Sequence, residues 1–198
     1  ELVKTLTSSR PDLLREAWKL GITKEFLPEF DLAMETTQET VHHMYMVGEH
    51  ILHTLLEVRP DRILRLTMLL HDIGKPYMKT MDADGVAHFK GHPEKSSELA
   101  NEILHRLKFD NDTIRKVTKL VRYHDHRMPV TPAHVRRAVR EIGEDLFPLY
   151  LEVRRADVAA QSMYQHKEKV ADIDGVEKLY HEIMERKECV SLKMLAVT

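Results

Sequence analysis

The sequence predicts an all-α fold, a bundle of amphipathic helices with one short β-hairpin and a small helical layer at its N-terminus. Three observations lead there. Apolar residues recur at helical spacing along most of the chain, Gly and Pro are sparse (7 and 8 in 198 residues), and both stand where helices ought to end. With 42% hydrophobic residues, the chain is long enough to bury one sizeable core.

Taken in order, Ser9-Arg10-Pro11 opens a short helix that closes at Gly21, and Thr23 starts another that Pro28 interrupts. A longer helix is expected from about Tyr45 to Val58, closed by Arg59-Pro60, and the next from Asp61 to Asp72. Between Lys79 and Phe89, the run Met81-Asp82-Ala83-Asp84-Gly85-Val86 carries a turn signal and gives the hairpin. Helices then follow from Pro93 to Leu107, Asp112 to His124, Thr131 to Ile142, Glu144 to about Tyr164, and Ile173 to Glu188. No internal repeat or low-complexity segment interrupts them. The expected division is an N-terminal helical segment over 1–38 and a main domain over 39–198.

A net charge of −2 and a sequence pI of about 6.7 exclude a molecule that binds polyanions over its whole surface. Any contact with nucleic acid would be local, and the basic residues that could make it cluster at Arg115, Lys116, Lys119 and Arg122 and at Arg136, Arg137 and Arg140. The one cysteine, Cys189, rules out an intramolecular disulfide and fits a reducing compartment. No stretch approaches the roughly 20 apolar residues of a membrane span, and the N-terminus lacks the layout of a signal peptide. The expectation is a cytoplasmic protein with no membrane association. A first residue of Glu1 and an end at Leu195-Ala196-Val197-Thr198 read as part of a longer chain.

The run Leu69-Leu70-His71-Asp72-Ile73-Gly74-Lys75-Pro76 delivers an adjacent imidazole and carboxylate from an apolar helix end, with a lysine three residues on. Such a dyad can place a histidine on one cation while the carboxylate reaches a second or bridges the two. Thirteen histidines make chance matches easy, so helix faces supply the test. His50 lies in the stripe of Val47, Ile51 and Thr54, and His71 in that of Leu64, Thr67 and Met68. His124 continues Ile114, Val117 and Val121, whereas His126 points nearly the opposite way. Asp157 extends Leu146, Tyr150 and Val153, and buried carboxylates are rare unless paired or bound to a cation. His92 stands between Gly91 and Pro93 at a helix start. A lone inward histidine is usually a hydrogen-bonded core residue. Five inward polar ligands on separate helices, with His92, are harder to explain that way. His50, His71, Asp72 and Asp157 could fill one metal position, with Asp72 free to bridge, and His92 and His124 would complete a second. The donor set suits Mn, Fe, Mg, Ni or Zn.

At these residues the sequence resembles the HD superfamily of metal-dependent phosphohydrolases in the HDIG form, with the order His, His-Asp, His, His, Asp. The stretches Val47-Gly48-Glu49-His50, Leu70 to Pro76, Gly85 to His92, Arg154-Arg155-Ala156-Asp157 and Cys189-Val190-Ser191-Leu192-Lys193 narrow the resemblance. They are similar to the C-terminal half of bacterial CCA-adding tRNA nucleotidyltransferases that carry an HD domain. The likeness runs from about Leu13 to Leu195, and residues 13–30 resemble the helical segment after the polymerase head. It implies an HD-domain bundle in which His50, His71, Asp72 and Asp157 are the defining metal ligands and His92 and His124 the additional pair of dinuclear members. Met46 stands where relatives carry an Asp.

The resemblance further implies two divalent ions and hydrolysis of small phosphoesters such as 2′,3′-cyclic nucleotides or 2′-nucleotides, with tRNA as a partner. Two cations sharing a water lower its pKa, so no Ser or Cys nucleophile is required. Asp72 and Lys75 are then the expected catalytic residues, Lys75 being placed to meet phosphate charge or, more simply, to face a helix end. Asp82-Ala83-Asp84 has the spacing of a polymerase metal site but lacks the preceding Gly-Ser loop, so the turn reading stands and nucleotide addition is not expected. Two other functions fit the same residues: a tRNA-positioning module with a structural metal site, and a di-iron oxygenase of the HD fold.

Overall fold

The computed structural model describes residues 1–186; Cys189, the stretch to Lys193 and the expected helix end at Glu188 lie outside the described residues. The fold is all-α, as its pattern requires. Eleven α-helices are described: α1 (Leu2–Leu6), α2 (Leu14–Lys19), α3 (Pro28–Met34), α4 (Val47–Glu57), α5 (Arg62–Leu70), α6 (Lys75–Met78), α7 (His92–Arg106), α8 (Asn111–Tyr123), α9 (Pro132–Ile142), α10 (Phe147–Ala159) and α11 (His166–Glu185). The hairpin joins β1 (Thr80–Met81) to β2 (Ala87–His88), antiparallel, with Thr80 opposite His88.

Five elements differ from expectation. Short helix α1 precedes the first expected one. Pro28 begins α3 instead of interrupting a helix, and α6, a short helix not expected from the pattern, carries Pro76 in its first turn, because a first-turn residue needs no N–H and the fixed φ of proline suits that position. The last helix starts at His166, two turns before Ile173, since its opening residues are polar and carry no stripe to read. The helix expected from Glu144 is confined to Phe147–Ala159.

Two apolar clusters form the interior. One gathers Leu6, Leu14, Leu27 and Phe30 from the N-terminal layer with Ile51, Leu66, Leu69, Ile103 and Val117, so residues 1–38 share a core with α4 and α5. The other packs Val135, Val139 and Ile142 of α9 against Phe147, Tyr150, Ile173 and Tyr180. Helices α8 and α10 belong to both: α8 turns Val117 and Val121 toward the first and Leu120 toward the second, and α10 does the same with Val153 and Tyr150. No described helix is long and apolar enough to cross a membrane.

Candidate metal centre

The six residues singled out in the sequence converge, four of them from helix faces, Asp72 beside His71, and His92 from a helix start. His71 and His124 each occupy the first position after a helix, α5 and α8 respectively. The last carbonyls of a helix have no partner within it, and each histidine uses one. His71 Nδ1 donates to Met68 O at 2.7 Å, and His124 Nδ1 to Val121 O at 2.7 Å. His92 Nδ1 donates in the same i−3 pattern to Phe89 O at 2.9 Å, and His50 Nδ1 to Ala160 O at 3.3 Å. A carbonyl can only accept, so a proton sits on Nδ1 of His71, His92 and His124, whose neutral rings carry the lone pair on Nε2, whereas His50 faces acceptors at both nitrogens, Asp157 Oδ1 lying 2.9 Å from its Nε2.

The four Nε2 atoms meet in two couples. His50 and His71 bring their Nε2 atoms to 3.4 Å, and His92 and His124 to 3.2 Å. Asp72 lies between them. Its Oδ2 is 3.5 Å from His50 Nε2 and 3.4 Å from His71 Nε2, while Oδ1 is 3.3 Å from His92 and 3.5 Å from His124. Asp157 Oδ1 adds a carboxylate to the first couple, 2.9 Å from His50 and 3.9 Å from His71. His50, His71, Asp72 and His124 are at most 1% exposed, Asp157 is 5% and His92 9%.

The facing lone pairs of His92 and His124 repel at 3.2 Å, and among the described residues Asp72 Oδ1 is buried without a hydrogen bond. A divalent ion resolves both problems. Zinc–imidazole bonds of about 2.0–2.1 Å put two nitrogens of one ion roughly 3.0–3.4 Å apart, the spacing found in each couple. The residues therefore fit a metal, in two sets of three: His50, His71 and Asp72, and Asp72, His92 and His124.

The surroundings hold these ligands in place. Burial alone would push the Asp72 carboxyl up, but the Lys75 ammonium beside it outweighs this and holds it well below the usual carboxylate range. Burial acts likewise on Asp157, where the hydrogen bond and charge of His50 prevail. Lys75 is itself buried, its Nζ 2.7 Å from Asp72 Oδ2. Gln161 Nε2 donates to Asp157 Oδ2 at 2.9 Å, and Lys169 Nζ donates to Gln161 Oε1 at 2.8 Å. Arg154 Nη1 donates to the His124 carbonyl at 3.4 Å. Sequence reasoning missed Gln161 and Lys169. The first was legible, since it stands four residues after Asp157 on the same face.

Two glycines make the arrangement possible. Gly91 adopts φ 82°, a left-handed turn that launches α7 with His92 at its first position. Gly74 packs directly on that first turn: a Cβ there would lie 2.5 Å from Ser96 N and 3.0 Å from His92 O, and the Gly74 N–H donates to Ser96 Oγ at 2.9 Å. The site opens into a cleft of about 1020 Å³, whose walls include His43, Lys75, Phe89, Lys90, His92 and Arg127.

Residues 40–188 match the HD domain family. The chain belongs to that family. An A-adding tRNA nucleotidyltransferase of Deinococcus radiodurans is 37% identical to this HD domain chain over 163 residues, covering 78% of the chain and 37% of the relative. A CC-adding tRNA nucleotidyltransferase of Thermus thermophilus is 34% identical over 164 residues, 79% of the chain and 37% of that protein. A bifunctional uridylyltransferase/uridylyl-removing enzyme of Ruegeria pomeroyi is 28% identical over 137 residues, 56% of the chain and 13% of its own length. The HD chain thus spans little more than a third of the tRNA nucleotidyltransferases it matches.

Proposed function

We propose that this HD domain is a metal-dependent phosphohydrolase acting on nucleotide phosphoesters such as 2′,3′-cyclic nucleotides and 2′-nucleotides. One observation carries the reading: Asp72 lies buried between two couples of histidines whose Nε2 atoms face it, Oδ2 toward His50 and His71 and Oδ1 toward His92 and His124. His50, His71, Asp72 and Asp157 would hold one divalent ion, and Asp72, His92 and His124 a second, from among Mn, Fe, Mg, Ni or Zn. Bound there, such ions supply Lewis acidity at a phosphoryl oxygen and lower the pKa of a shared water. The chain's own part is to orient the four imidazoles through backbone carbonyls and to keep Asp72 ionised by means of Lys75. Asp72 and Lys75 are accordingly our catalytic assignments, the latter supplying positive charge at the cleft wall.

The tRNA nucleotidyltransferase relatives favour a setting in tRNA metabolism, with residues 39–198 as the hydrolase domain, 1–38 as the segment that follows a nucleotidyltransferase head, and tRNA as a partner. For a tRNA-positioning role, the supporting observation is basic surface on α8 and α9. Part of it is spent on local ion pairs, Arg115 and Lys116 with Asp112 and Arg137 with Glu141. A di-iron oxygenase would use the same six ligands, and the uridylyl-removing relatives favour hydrolysis over it. The purified chain loaded with manganese should hydrolyse a 2′,3′-cyclic nucleotide, consume no oxygen when loaded with iron, and fail to extend a tRNA lacking its CCA end. Asp72→Ala should abolish both hydrolysis and metal uptake. Metal-independent hydrolysis, or full metal content in that variant, contradicts the assignment.

A further inference from the structure

Gln38, His43 and Lys75 form a group beside Asp72 that metal binding does not explain. The buried Lys75 ammonium faces three acceptors: Asp72 Oδ2 at 2.7 Å, Gln38 Oε1 at 2.9 Å and His43 Nε2 at 3.4 Å. An ammonium has three protons and no lone pair. It therefore donates to His43 Nε2, and the ring proton of His43 sits on Nδ1. That Nδ1 is buried and has no acceptor among the described residues. The ring packs edge-on against His50, 4.9 Å between centroids, and lines the same cleft as Asp72. His42 also has an unpartnered Nδ1, but no donor fixes its tautomer and its ring packs against Tyr164 at 5.0 Å.

A buried N–H without an acceptor is costly unless a ligand supplies one. Beside a centre built for phosphoryl oxygens, the missing acceptor is an anionic oxygen. We propose that His43 is a further catalytic residue, donating its Nδ1–H to a non-bridging oxygen of the substrate's phosphoryl group. The inference rests on the phosphohydrolase reading. It also divides the labour between neighbours: Lys75 spends its protons on protein acceptors and contributes charge, while His43 supplies the directional bond.

The test compares His43→Asn, His43→Gln and His43→Ala. An Asn amide reaches the position of Nδ1 and keeps a donor there, whereas a Gln amide reaches that of Nε2. All three should retain the metal content of the parent. With bis-p-nitrophenyl phosphate as substrate, H43A and H43Q should lose about 10–100-fold in kcat/KM, the loss expected for one hydrogen bond to a charged group, and H43N should keep most of it. Nitrogen-15 spectra of the metal-free parent should show His43, assigned by its absence in H43N, as the Nδ1–H tautomer. In the magnesium-loaded protein, inorganic phosphate should shift that signal. An Nε2–H tautomer, loss of metal in H43N, or H43Q outperforming H43N overturns the proposal. If the parent hydrolyses nothing, the phosphohydrolase reading fails on its own, and the phosphate-induced shift still decides: its presence supports His43 as a phosphate donor and its absence overturns it.

Discussion

Asp72 and Lys75 stand three residues apart, both buried, with 2.7 Å between ammonium and carboxylate. Asp157 adds a second carboxylate within reach of the same histidines, so Lys75 is the cation that makes this concentration of negative charge tolerable before a metal arrives. Removing one partner of a buried pair strands the other. Lys75→Met should therefore destabilise the metal-free protein by about 3–5 kcal/mol, and urea unfolding in excess manganese should recover most of that loss because divalent ions replace the missing charge. An equal loss with and without manganese would mean that Lys75 acts through packing alone. At this scale the sequence was informative wherever a ligand sits on a helix face: His50, His71, His124 and Asp157 follow from spacing of three, four and seven. Gln38 and His43 lie between α3 and α4, where no periodicity exists, and their partner Lys75 is reached only through tertiary packing.

Elements position the site through their ends. The carbonyls left over at the ends of α5 and α8 orient His71 and His124, and the left-handed Gly91 starts α7 on His92. Gly74 lets that first turn come close, which is the physical content of the glycine in the His-Asp-Ile-Gly run. Gly74→Ala should push the first turn of α7 away, lowering metal occupancy at His92 and His124 while sparing the position formed by His50, His71 and Asp157. Metal titration of the variant should give one tight equivalent, and loss of both would contradict this division. Helix α8 carries a separate acid-sensitive feature. Its N-cap, Asp110, accepts from the Thr113 backbone N–H at 2.9 Å and from the Thr113 hydroxyl at 2.7 Å, which hold its carboxyl down to about 2. A depressed folded-state pKa contributes stability above the unfolded value of about 3.9, and that contribution fades as pH falls toward 2. Asp110→Asn keeps the acceptor without the charge, so the stability gap between parent and variant should close between pH 4 and pH 2. A gap that stays constant over that window would contradict the assignment. Pro28 begins α3 where the pattern predicts an interruption, because proline stops a helix or starts one according to what precedes it, and local sequence alone does not say which.

The whole molecule is two apolar clusters sharing α8 and α10, with the candidate centre assembled from α4, α7 and the ends of α5 and α8, and closed by Asp157 of α10. Such an arrangement gathers ligands more than 100 residues apart, as in the His50–Asp157 contact, and a metal bound only by the folded chain stabilises it by mass action. The bundle itself was legible because amphipathic stripes dominate the chain. Which stripes share which cluster was not, since α8 and α10 bury residues on two sides and one stripe cannot report both. The central claim is that Asp72 joins two metal positions, and anomalous scattering from crystals of the manganese-loaded protein tests it most directly. Two anomalous peaks flanking Asp72 are expected, one beside His50, His71 and Asp157 and the other beside His92 and His124. A single peak, or ions bound without Asp72, would contradict the account.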